Sequence, residues 1–505
     1  MVQSKYHKRR FFMKNTFSMT LNFDEYRDRV YACWIGKNIG GTMGAPYEGQ
    51  RRTHDISGFA TPPGKPNPND DLDLQLIWLH AVEKMGPLAI NAATLGEFWI
   101  GLLPANPNEY GIAKNNMRRG IIPPISGDYE NMWKNSNGGW IRTEIWASLA
   151  PGCPALAAKY AIEDAKVDHG AGEGSIAAAF VAAMQSAAFV LKDIKACIEI
   201  GLATIPENSR MADSVRFLLD CHANGMSAME ARNAIFERNS DIGNGWFEAP
   251  SNVSYAIIGL LWGNGDFKKS VITAINCGDD TDCTGATAGA TMGILGGASS
   301  IPNDWKAHIG DEIVTICINR GDHTSGGAVP KSCTELTERV TKQAPFVLFS
   351  NRANVSLTNE ENNIPKDVTE QLISSCTRFR KELVFKPFTA RYESTVLFAD
   401  VCIEGGIDIS PLEKKTVTVD ISARRELGDD LINLTCRWWL PGGFSVAHGK
   451  QTAIVTSKEP TDPGITTMKF ELVAGDTVSP VNRCVLEIMP EGRCTPLYAS
   501  IVLLG

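Results

Sequence analysis

The sequence predicts a large all-α domain followed by a smaller all-β sandwich domain. From about residue 22 to 345, apolar side chains recur with a helical period, and strand-like alternation is nearly absent. After Ala344 the pattern changes, and residues 415–421 alternate strictly between polar and apolar side chains. Because a single hydrophobic core seldom exceeds ~250–300 residues, a chain of 505 residues is expected to contain two or more domains.

These changes in pattern divide the chain into four segments. Residues 1–21 are predicted to be a disordered basic tail, because they lack the apolar core of a secretion signal; a targeting segment is the alternative. Residues 22–345 form the helical domain, and residues 346–390 are a linker with one strand (346–349) and one helix (about 366–383). Residues 391–505 form the β-sandwich, with strands predicted at 396–403, 415–421, 431–440, 452–456, 467–473, 484–488 and 499–504.

Composition limits the classes of partner. The formal net charge of −8 argues against non-specific binding to nucleic acid or anionic membranes. No apolar run reaches the ~18 residues that a membrane-spanning helix needs. The thirteen cysteines form no Cys-x-x-Cys pair and mostly lie in apolar stretches, which is typical of buried free thiols. We therefore expect a cytoplasmic protein without a nucleic-acid or membrane partner, and the oligomeric state stays open.

Three aspartates open a helix in residues 276–297. Asp279, Asp280 and Asp282 stand within four positions of one another, beside Thr281 and Thr284. One interpretation is an acidic N-cap, since aspartate accepts hydrogen bonds from the free N–H groups of a first helical turn. The other is a divalent-cation site, because carboxylate and hydroxyl oxygens are hard ligands. This stretch alone leaves both interpretations open.

A second acidic cluster opens an amphipathic helix some two hundred residues earlier. Asn69, Asp70, Asp71 and Asp73 follow a turn rich in Pro, Gly and Asn. A capped surface helix is again the simpler interpretation. Two such clusters also indicate one site in which carboxylates from both segments share one or two cations. Oxygen ligands favour Mg²⁺ or Mn²⁺ over zinc, because no Cys/His tetrad is in view.

Glycines recur every fourth residue in two predicted helices. One set lies at positions 36, 40 and 44, and the other at 285, 289, 293 and 297. This spacing places each set on one helical face, where another backbone can approach closely. Our hypothesis is that the two glycine faces pack in the same crowded centre.

Several short motifs, taken in order, carry a resemblance to a known family. They are the Gly-rich stretch from Gly36 to Glu48, Asn69-Asp70-Asp71, Tyr110-Gly111, Asn137-Gly138, His169 before a small-residue helix, Asp280-Thr281-Asp282, and residues 301–305. In this order they resemble the ADP-ribosylglycohydrolase family over roughly residues 22–345. The two acidic motifs are the specific ones, and the glycine helices alone would be a weak signal.

The resemblance implies an all-α orthogonal bundle and a metal-dependent glycosidase that cleaves at the anomeric carbon of an ADP-ribosyl or related ribosyl group. It implies two divalent cations, Mg²⁺ in the first place and Mn²⁺ as the alternative. The substrate would be an ADP-ribosylated protein or a small ribosylated molecule. Position by position, it gives catalytic roles to Glu48 and Asp71, metal-ligand roles to Asn69, Asp70, Asp71, Asp280, Asp282, Cys283 and Thr284, and substrate-binding roles to Tyr110, Gly111, Asn137, Gly138 and His169.

Some of these residues have simpler explanations. A glutamate in a loop, such as Glu48, is usually just solvated, and a lone histidine such as His169 is most often a cap or a hydrogen-bonding residue. A nucleophilic role for Cys283 is set aside, because neighbouring carboxylates raise the pKa of a thiol.

Four positions depart from the family pattern. Asn69 and Leu72 stand where threonines are common, Gly41 where an aspartate is common, and Cys283 where many members have a ligating threonine. Either Thr284 replaces that ligand, or one cation is bound less well. These departures keep two alternatives open: hydrolysis of small ribosides or nucleoside derivatives, and a non-catalytic binding or structural protein on the same fold.

Overall fold

The computed structural model describes residues 18–243, 245–318, 329–383, 385–424, 431–456 and 464–505. Most of the predicted basic tail, residues 1–17, lies outside these ranges. Helices fill the first part of the chain and antiparallel strands the second, which confirms the predicted fold class. The described helices are α1 (Phe23–Gly44), α2 (Asp70–Met85), α3 (Ala92–Leu102), α4 (Asn108–Arg118), α5 (Ile125–Asp128), α6 (Glu144–Leu149), α7 (Pro154–His169), α8 (Glu173–Ala188), α9 (Ile194–Thr204), α10 (Arg210–Ala223), α11 (Ala228–Arg238), α12 (Ala249–Trp262), α13 (Phe267–Asn276), α14 (Thr281–Gly296), α15 (Asn303–Ile309), α16 (Cys333–Ser350) and α17 (Val368–Arg380).

Two small-residue helices, α1 and α14, pack antiparallel at the centre of the helical domain. Gly36 faces Gly289, Gly40 faces Gly285, and the C-terminal end of α1 meets the N-terminal end of α14. A Cβ atom on Gly40 would lie 2.0 Å from the carbonyl oxygen of Gly285, so only glycine permits this approach. The hypothesis that the two glycine faces pack together is confirmed. This contact sets the acidic start of α14 beside the loop that follows α1.

The other helices bury their apolar faces around this pair. On α2, the side chains of Leu72, Leu76, Leu79 and Val82 are buried, as the amphipathic pattern predicts. One continuous core extends through most of the helical domain, and its largest fully buried side chains are tryptophans, Trp34, Trp78, Trp99, Trp140 and Trp146. Among the described residues, no helix is both long and apolar enough to cross a membrane.

The strand predicted at residues 346–349 is wrong, because this stretch is the last turn of α16. Val340, Ala344 and Val347 are buried at helical spacing, whereas Phe346 and Phe349 face solvent. Pro345 lies inside the helix and does not end it.

The segment predicted to be a linker, residues 346–390, also contributes side chains to the core of the helical domain. Two strands, β1 (Met19–Asn22) and β2 (Val355–Thr358), form a parallel pair. Val355, Leu372 of α17 and Cys376 join the core of the helical domain. Met19 and Leu21 are also buried, so the predicted disorder of residues 19–21 is wrong, because their strand pairs with β2.

The C-terminal part is a sandwich of two antiparallel sheets. One sheet has the order β3-β4-β5-β9-β7 and the other β11-β10-β6-β8. Their inner faces enclose a second hydrophobic core, separate from that of the helical domain. The strands are β3 (Thr389–Glu393), β4 (Leu397–Ile403), β5 (Lys414–Ala423), β6 (Leu431–Trp439), β7 (Ser445–Val446), β8 (Lys450–Thr456), β9 (Thr466–Val473), β10 (Asn482–Pro490) and β11 (Leu497–Leu503).

Candidate functional site

The two acidic segments meet in the folded chain. The Cys283 thiol donates to Oδ1 of Asp71 at 3.3 Å, across a sequence separation of 212 residues. Potential ligand atoms of Asp71, Asp282 and Cys283 lie within 4.8 Å of one another, and all three residues are buried. We call this trio the sulfur-containing cluster. The N-terminal ends of α2 and α14 are therefore neighbours, as the interpretation of one shared site requires.

A second group of ligand atoms shares Asp282. Carboxylate oxygens of Glu48, Asp280 and Asp282 also lie within 4.8 Å of one another, and we call them the oxygen-only cluster. Glu48 stands at the exposed rim, while Asp280 and Asp282 are buried. Partial desolvation, together with the negative charges of Asp280 and Asp70, raises the pKa of Glu48 to about 7.

Backbone pairing holds Glu48 next to the start of α14. The Gly49 N–H donates to the Asp279 carbonyl oxygen at 2.9 Å, and the Asp279 N–H donates back to the Gln50 carbonyl oxygen at 2.9 Å. Asp279 has a left-handed φ of 65°, which this pairing stabilises. On its other side, the Asn252 amide donates to the Asp279 carboxylate at 3.1 Å. Asp279 thus braces the segment, and it is not a member of either cluster.

A buried lysine holds Asp71 in place. Nζ of Lys37 lies 3.3 Å from Oδ2 of Asp71 and 3.1 Å from Oε2 of Glu144, and it donates to the Ile141 carbonyl oxygen at 2.7 Å. Gln75 donates to Glu144 at 2.9 Å and completes this network. Burial and the surrounding carboxylates raise the pKa of Asp71, and Lys37 opposes that rise. Lys37 lies in ion-pair range of Oδ2, which accepts no hydrogen bond among the described residues, and the other Asp71 oxygen accepts from the Cys283 thiol.

The loop between α5 and α6 reaches the site through Asn137. Its Nδ2 donates to Oδ2 of Asp280 at 2.5 Å, and its oxygen accepts from the Trp140 indole at 2.9 Å. Arg142 anchors the same loop, since its guanidinium donates to the Gly138 carbonyl oxygen and pairs with Asp168 at 2.8 Å. Burial raises the pKa of Asp168, but Arg142 and His169 overcome this effect and lower the pKa below its ordinary value.

His169 lies beneath this loop and does not reach either cluster. Its Nδ1 lies 2.9 Å from Asp168, and its Nε2 is 3.3 Å from the Ser136 hydroxyl and 3.9 Å from Glu109. A Cβ atom on Gly138 would lie 2.1 Å from the Glu109 carboxylate, so the loop packs directly on this pair. Burial raises the pKa of Glu109 to about 7, with His169 opposing. The geometry therefore gives His169 a supporting position under the loop.

The remaining predicted site residues divide into two groups. Tyr110 contacts the site, because its hydroxyl donates to Asp70 at 3.4 Å. Thr284 turns away and donates to the Thr281 carbonyl oxygen at 3.3 Å, while Gly111 packs against Asn106. Asn69 caps α2, since its side-chain oxygen accepts from the Asp71 N–H at 2.8 Å.

Gly41 and Asn69 fit each other sterically. A Cβ atom on Gly41 would lie 1.9 Å from Nδ2 of Asn69. The amide of Asn69 therefore fills the space that a side chain at position 41 would need. The two residues that depart from the family pattern at positions 41 and 69 are therefore in direct contact in the structure.

An open pocket of about 710 Å³ adjoins the loop that carries Glu48. It is lined by Tyr47 and by residues 52–60, which include Arg52 and His54. The His54 N–H donates to the Asn276 carbonyl oxygen at 2.9 Å, so the pocket borders the segment that leads into the acidic cluster. Trp246 is 45% exposed and lies beside Gly49, since a Cβ atom on Gly49 would be 3.7 Å from its ring.

A model of the ADP-ribosylglycohydrolase family matches residues 22–335. The chain belongs to the ADP-ribosylglycohydrolase family. This membership supports a glycohydrolase-type function, and the match leaves the β-sandwich outside the family region. A solved structure titled as an ADP-ribosylglycohydrolase-related protein complex is 20% identical with a TM-score of 0.43, and the alignment covers 64% of this chain and 99% of that one. A comparison with curated proteins found no match.

The donor set of this ADP-ribosylglycohydrolase-family chain fits divalent cations. Oδ1 of Asp280 and Oδ1 of Asp282 are buried and have no hydrogen-bond partner among the described residues. Desolvation and the neighbouring carboxylates raise the pKa of Asp282 well above its ordinary value. Buried, unpaired carboxylate oxygens are costly unless they are protonated or bound to a cation. Asp71, Asp280, Asp282, Glu48 and Cys283 can hold such ions at this site, and Glu109, Asp168 and His169 form a third group of ligand atoms within 4.8 Å of one another under the loop.

Sequence reasoning missed the residues that hold this site in shape. They are Lys37, Glu144, Gln75, Asn252, Arg142 and Asp168. One of them carried a usable signal, because Lys37 is a single charge inside an otherwise uncharged stretch of small and apolar residues. Such a charge is rarely buried without a partner, so it indicates a buried acid elsewhere in the chain.

Proposed function

We propose that this chain is a divalent-cation-dependent glycosidase that hydrolyses the bond at the anomeric carbon of an ADP-ribosyl or related ribosyl group. The observation that carries the proposal is the convergence of Asp71 with Asp282 and Cys283, joined by the 3.3 Å contact between Cys283 and Asp71. Family membership supports the reaction class. Two cations, with Mg²⁺ or Mn²⁺ as the expected ions, would be held by the two clusters that share Asp282.

The residues around the site have distinct tasks in this proposal. Cleavage at the ribose anomeric carbon develops positive oxocarbenium charge, which nearby carboxylates such as Asp70 stabilise. When bound, the cations supply Lewis-acid charge that orients the hydroxyl or phosphate oxygens of the substrate. Lys37 and Asn137 hold the carboxylates of Asp71 and Asp280 in fixed positions.

Glu48 is the proposed proton-transfer residue. Its carboxyl group is at the exposed rim, where a substrate can reach it, beside the buried carboxylates of Asp280 and Asp282. The adjoining pocket, lined by Arg52 and His54 among others, offers room for the polar remainder of the substrate.

The test is hydrolysis of a small panel by the full-length protein, with Mg²⁺, with Mn²⁺ and after chelation. The panel holds ADP-ribosyl-arginine and ADP-ribosyl-serine peptides, ADP-ribose and simple ribosides, so that it also identifies the leaving group. We expect turnover of one class, dependent on the added cation. Asp280→Asn keeps the shape and an acceptor for Asn137, and it should lower the rate by roughly 100-fold or more.

The matched control is Asp304→Asn. Asp304 is an exposed aspartate that pairs with Lys268 at 2.6 Å, on α15 and outside both clusters. This variant should retain full activity. Absence of turnover across the panel, in a folded wild-type protein supplied with either cation, would exclude the proposed activity and leave a binding protein on the same fold.

A further inference from the structure

The two ligand clusters at the site differ in chemistry. The oxygen-only cluster of Glu48, Asp280 and Asp282 contains carboxylates alone, whereas the other cluster adds the sulfur of Cys283 to Asp71 and Asp282. Mg²⁺ binds oxygen ligands in regular geometry, and thiolate ligands select softer ions such as Zn²⁺. Two positions that share Asp282 therefore have unequal preferences for a cation.

The Cys283 side chain bonds to a different kind of partner from the side chains of its neighbours on α14. Thr281 donates its hydroxyl to the Gly44 carbonyl oxygen at 2.8 Å, and Thr284 donates to the Thr281 carbonyl oxygen. Both hydroxyls therefore donate to backbone carbonyl oxygens. Cys283 instead directs its sulfur to Asp71, a carboxylate on another helix.

An unpartnered oxygen provides a second, independent observation. Oδ1 of Asp282 is buried without a hydrogen-bond partner among the described residues, and the whole residue is only 7% exposed. Lys37 contacts Oδ2 of Asp71 and leaves Oδ1 on the side of the sulfur. One carboxylate oxygen of Asp282, one of Asp71 and the sulfur of Cys283 lie within 4.8 Å of one another, which is a donor set for a cation.

We propose that the cation position formed by Asp71, Asp282 and Cys283 is thiophilic and takes Zn²⁺ in preference to Mg²⁺, while the oxygen-only cluster takes the hard cation. The inference rests on the proposed function in so far as both require the acidic clusters to bind divalent ions. When the sulfur–metal bond forms, the thiol gives its proton to water, so that one proton is released for each ion bound. The site would then be a mixed binuclear centre.

The test uses metal-stripped full-length protein titrated with Cd²⁺ or Co²⁺ as the probe. We expect an ultraviolet thiolate-to-metal charge-transfer band that saturates at one ion per chain. Zn²⁺ should abolish the band by competition, and excess Mg²⁺ should leave it in place. Calorimetric titration with Zn²⁺ and Mg²⁺ gives the two affinities separately, without any measurement of activity.

Cys283→Ser and Cys283→Ala should both remove the band and weaken Zn²⁺ binding roughly 10–100-fold or more, with Mg²⁺ binding unchanged. All proteins carry Cys494→Ser, because the Cys494 thiol is exposed. The matched control is Cys277→Ser, since Cys277 is a nearby buried thiol that donates to the Thr273 carbonyl oxygen at 3.3 Å. It should keep the band.

The possible outcomes separate this inference from the proposed function. Persistence of the band in a folded Cys283→Ser protein, or unchanged Zn²⁺ affinity, would overturn the thiophilic position. Mg²⁺ binding and hydrolysis without any thiolate band in the wild type would overturn it as well, while leaving the proposed function intact. Failure of the wild type to bind Mg²⁺, Zn²⁺ and Cd²⁺ alike would remove both.

Discussion

At the scale of single residues, buried charged side chains fix the geometry of the site. Lys37 lies between Asp71 and Glu144, and all three side chains are fully buried. Loss of one partner from such a buried network typically costs about 3–5 kcal/mol, because the remaining charge stays buried and unpaired. Their arrangement therefore fixes the position of Asp71 before any cation or substrate arrives.

Glu109 gives a pH-dependent prediction at this scale. Burial raises its pKa in the folded state from the ordinary 4.5 to about 7. The stability contributed by the protonated group is present in full below pH 4.5 and is lost as pH rises through about 7. Glu109→Gln cannot ionise, so the variant should gain about 3 kcal/mol in unfolding free energy relative to wild type between pH 5 and pH 8.

Urea unfolding at the two pH values measures this difference. Glu97→Gln, an exposed position on α3, serves as the control and should show no such change. An equal difference between Glu109→Gln and wild type at pH 5 and pH 8 would contradict the account.

Residue types and their spacing in the sequence predict part of the site. Asp71, Asp280 and Asp282 were selected because acids at two helix starts exceed what capping requires, and their proximity in the structure agrees with that interpretation. The partners Lys37 and Glu144 were not found, because pairing across 107 positions depends on the packing of whole helices. The direction of Thr284 depends on one rotamer, which a sequence pattern does not specify.

At the scale of elements, the antiparallel contact of α1 with α14 aligns the two ends that carry the site. Gly36 and Gly289 approach so closely that a Cβ atom on either would lie 2.2 Å from the other's carbonyl oxygen. Small residues along both helices make this separation attainable. The start of α14, and with it Asp280 and Asp282, is thereby set against the loop of Glu48.

Gly40→Ala tests the requirement for this close contact. The added Cβ would lie 2.0 Å from the backbone oxygen of Gly285, so the helices must separate. We expect a loss of at least about 1–3 kcal/mol in unfolding free energy, measured by urea denaturation.

Gly101→Ala is the matched control for this substitution. Gly101 lies in α3 with nothing within 4 Å of an added Cβ atom, so alanine should be neutral or stabilise by up to about 1 kcal/mol. Equal effects at Gly40 and Gly101 would show that the interhelical contact does not require glycine.

Most elements were predictable because their periodicity is strong. The strand at 415–421 was expected from strict alternation, and β5 extends it only to Lys414–Ala423. The error at 346–349 arose because a run of four apolar residues after a proline fits either a strand or a helix end. Only the burial of Val340, Ala344 and Val347 at helical spacing distinguishes the two.

At the scale of the whole molecule, the β-sandwich braces the segment that leads to Asn137. Ile121, Ile125 and Tyr129 belong to the sandwich core, although they lie in the helical part of the chain. The Tyr129 hydroxyl donates to Asp408 at 2.7 Å, and the Phe388 N–H donates to Asp128 at 3.0 Å. The second domain thus contributes to the shape of the site without supplying a residue of either ligand cluster.

Tyr129→Phe tests this bracing. The variant keeps the packed ring and removes the hydrogen bond to Asp408, so we expect a loss of about 0.5–1.5 kcal/mol in unfolding free energy. Hydrogen–deuterium exchange should become faster in residues 121–131. Tyr498→Phe, at an exposed tyrosine of β11, should change neither quantity, and identical exchange in the Tyr129 variant and wild type would argue against the bracing.

The interface between the two domains could not be predicted from the sequence. Ile121, Ile125 and Tyr129 look like ordinary members of the helical core, because side-chain type does not reveal which of two cores a residue joins. The site itself could be predicted in part, because its acids stand in two dense groups in the sequence. What remained hidden was the geometry that makes Asp282 common to both clusters.

The central claim is that carboxylates from both acidic segments form one divalent-cation site. Calorimetric titration of metal-stripped protein with Mn²⁺ and then with Zn²⁺ tests it most directly, in wild type, Asp71→Asn, Asp282→Asn and the Asp304→Asn control. The account predicts two ions per chain for wild type and control, one for Asp71→Asn, and none bound tightly for Asp282→Asn, the shared ligand. Unchanged binding in both cluster variants, or a loss confined to one segment, would contradict it.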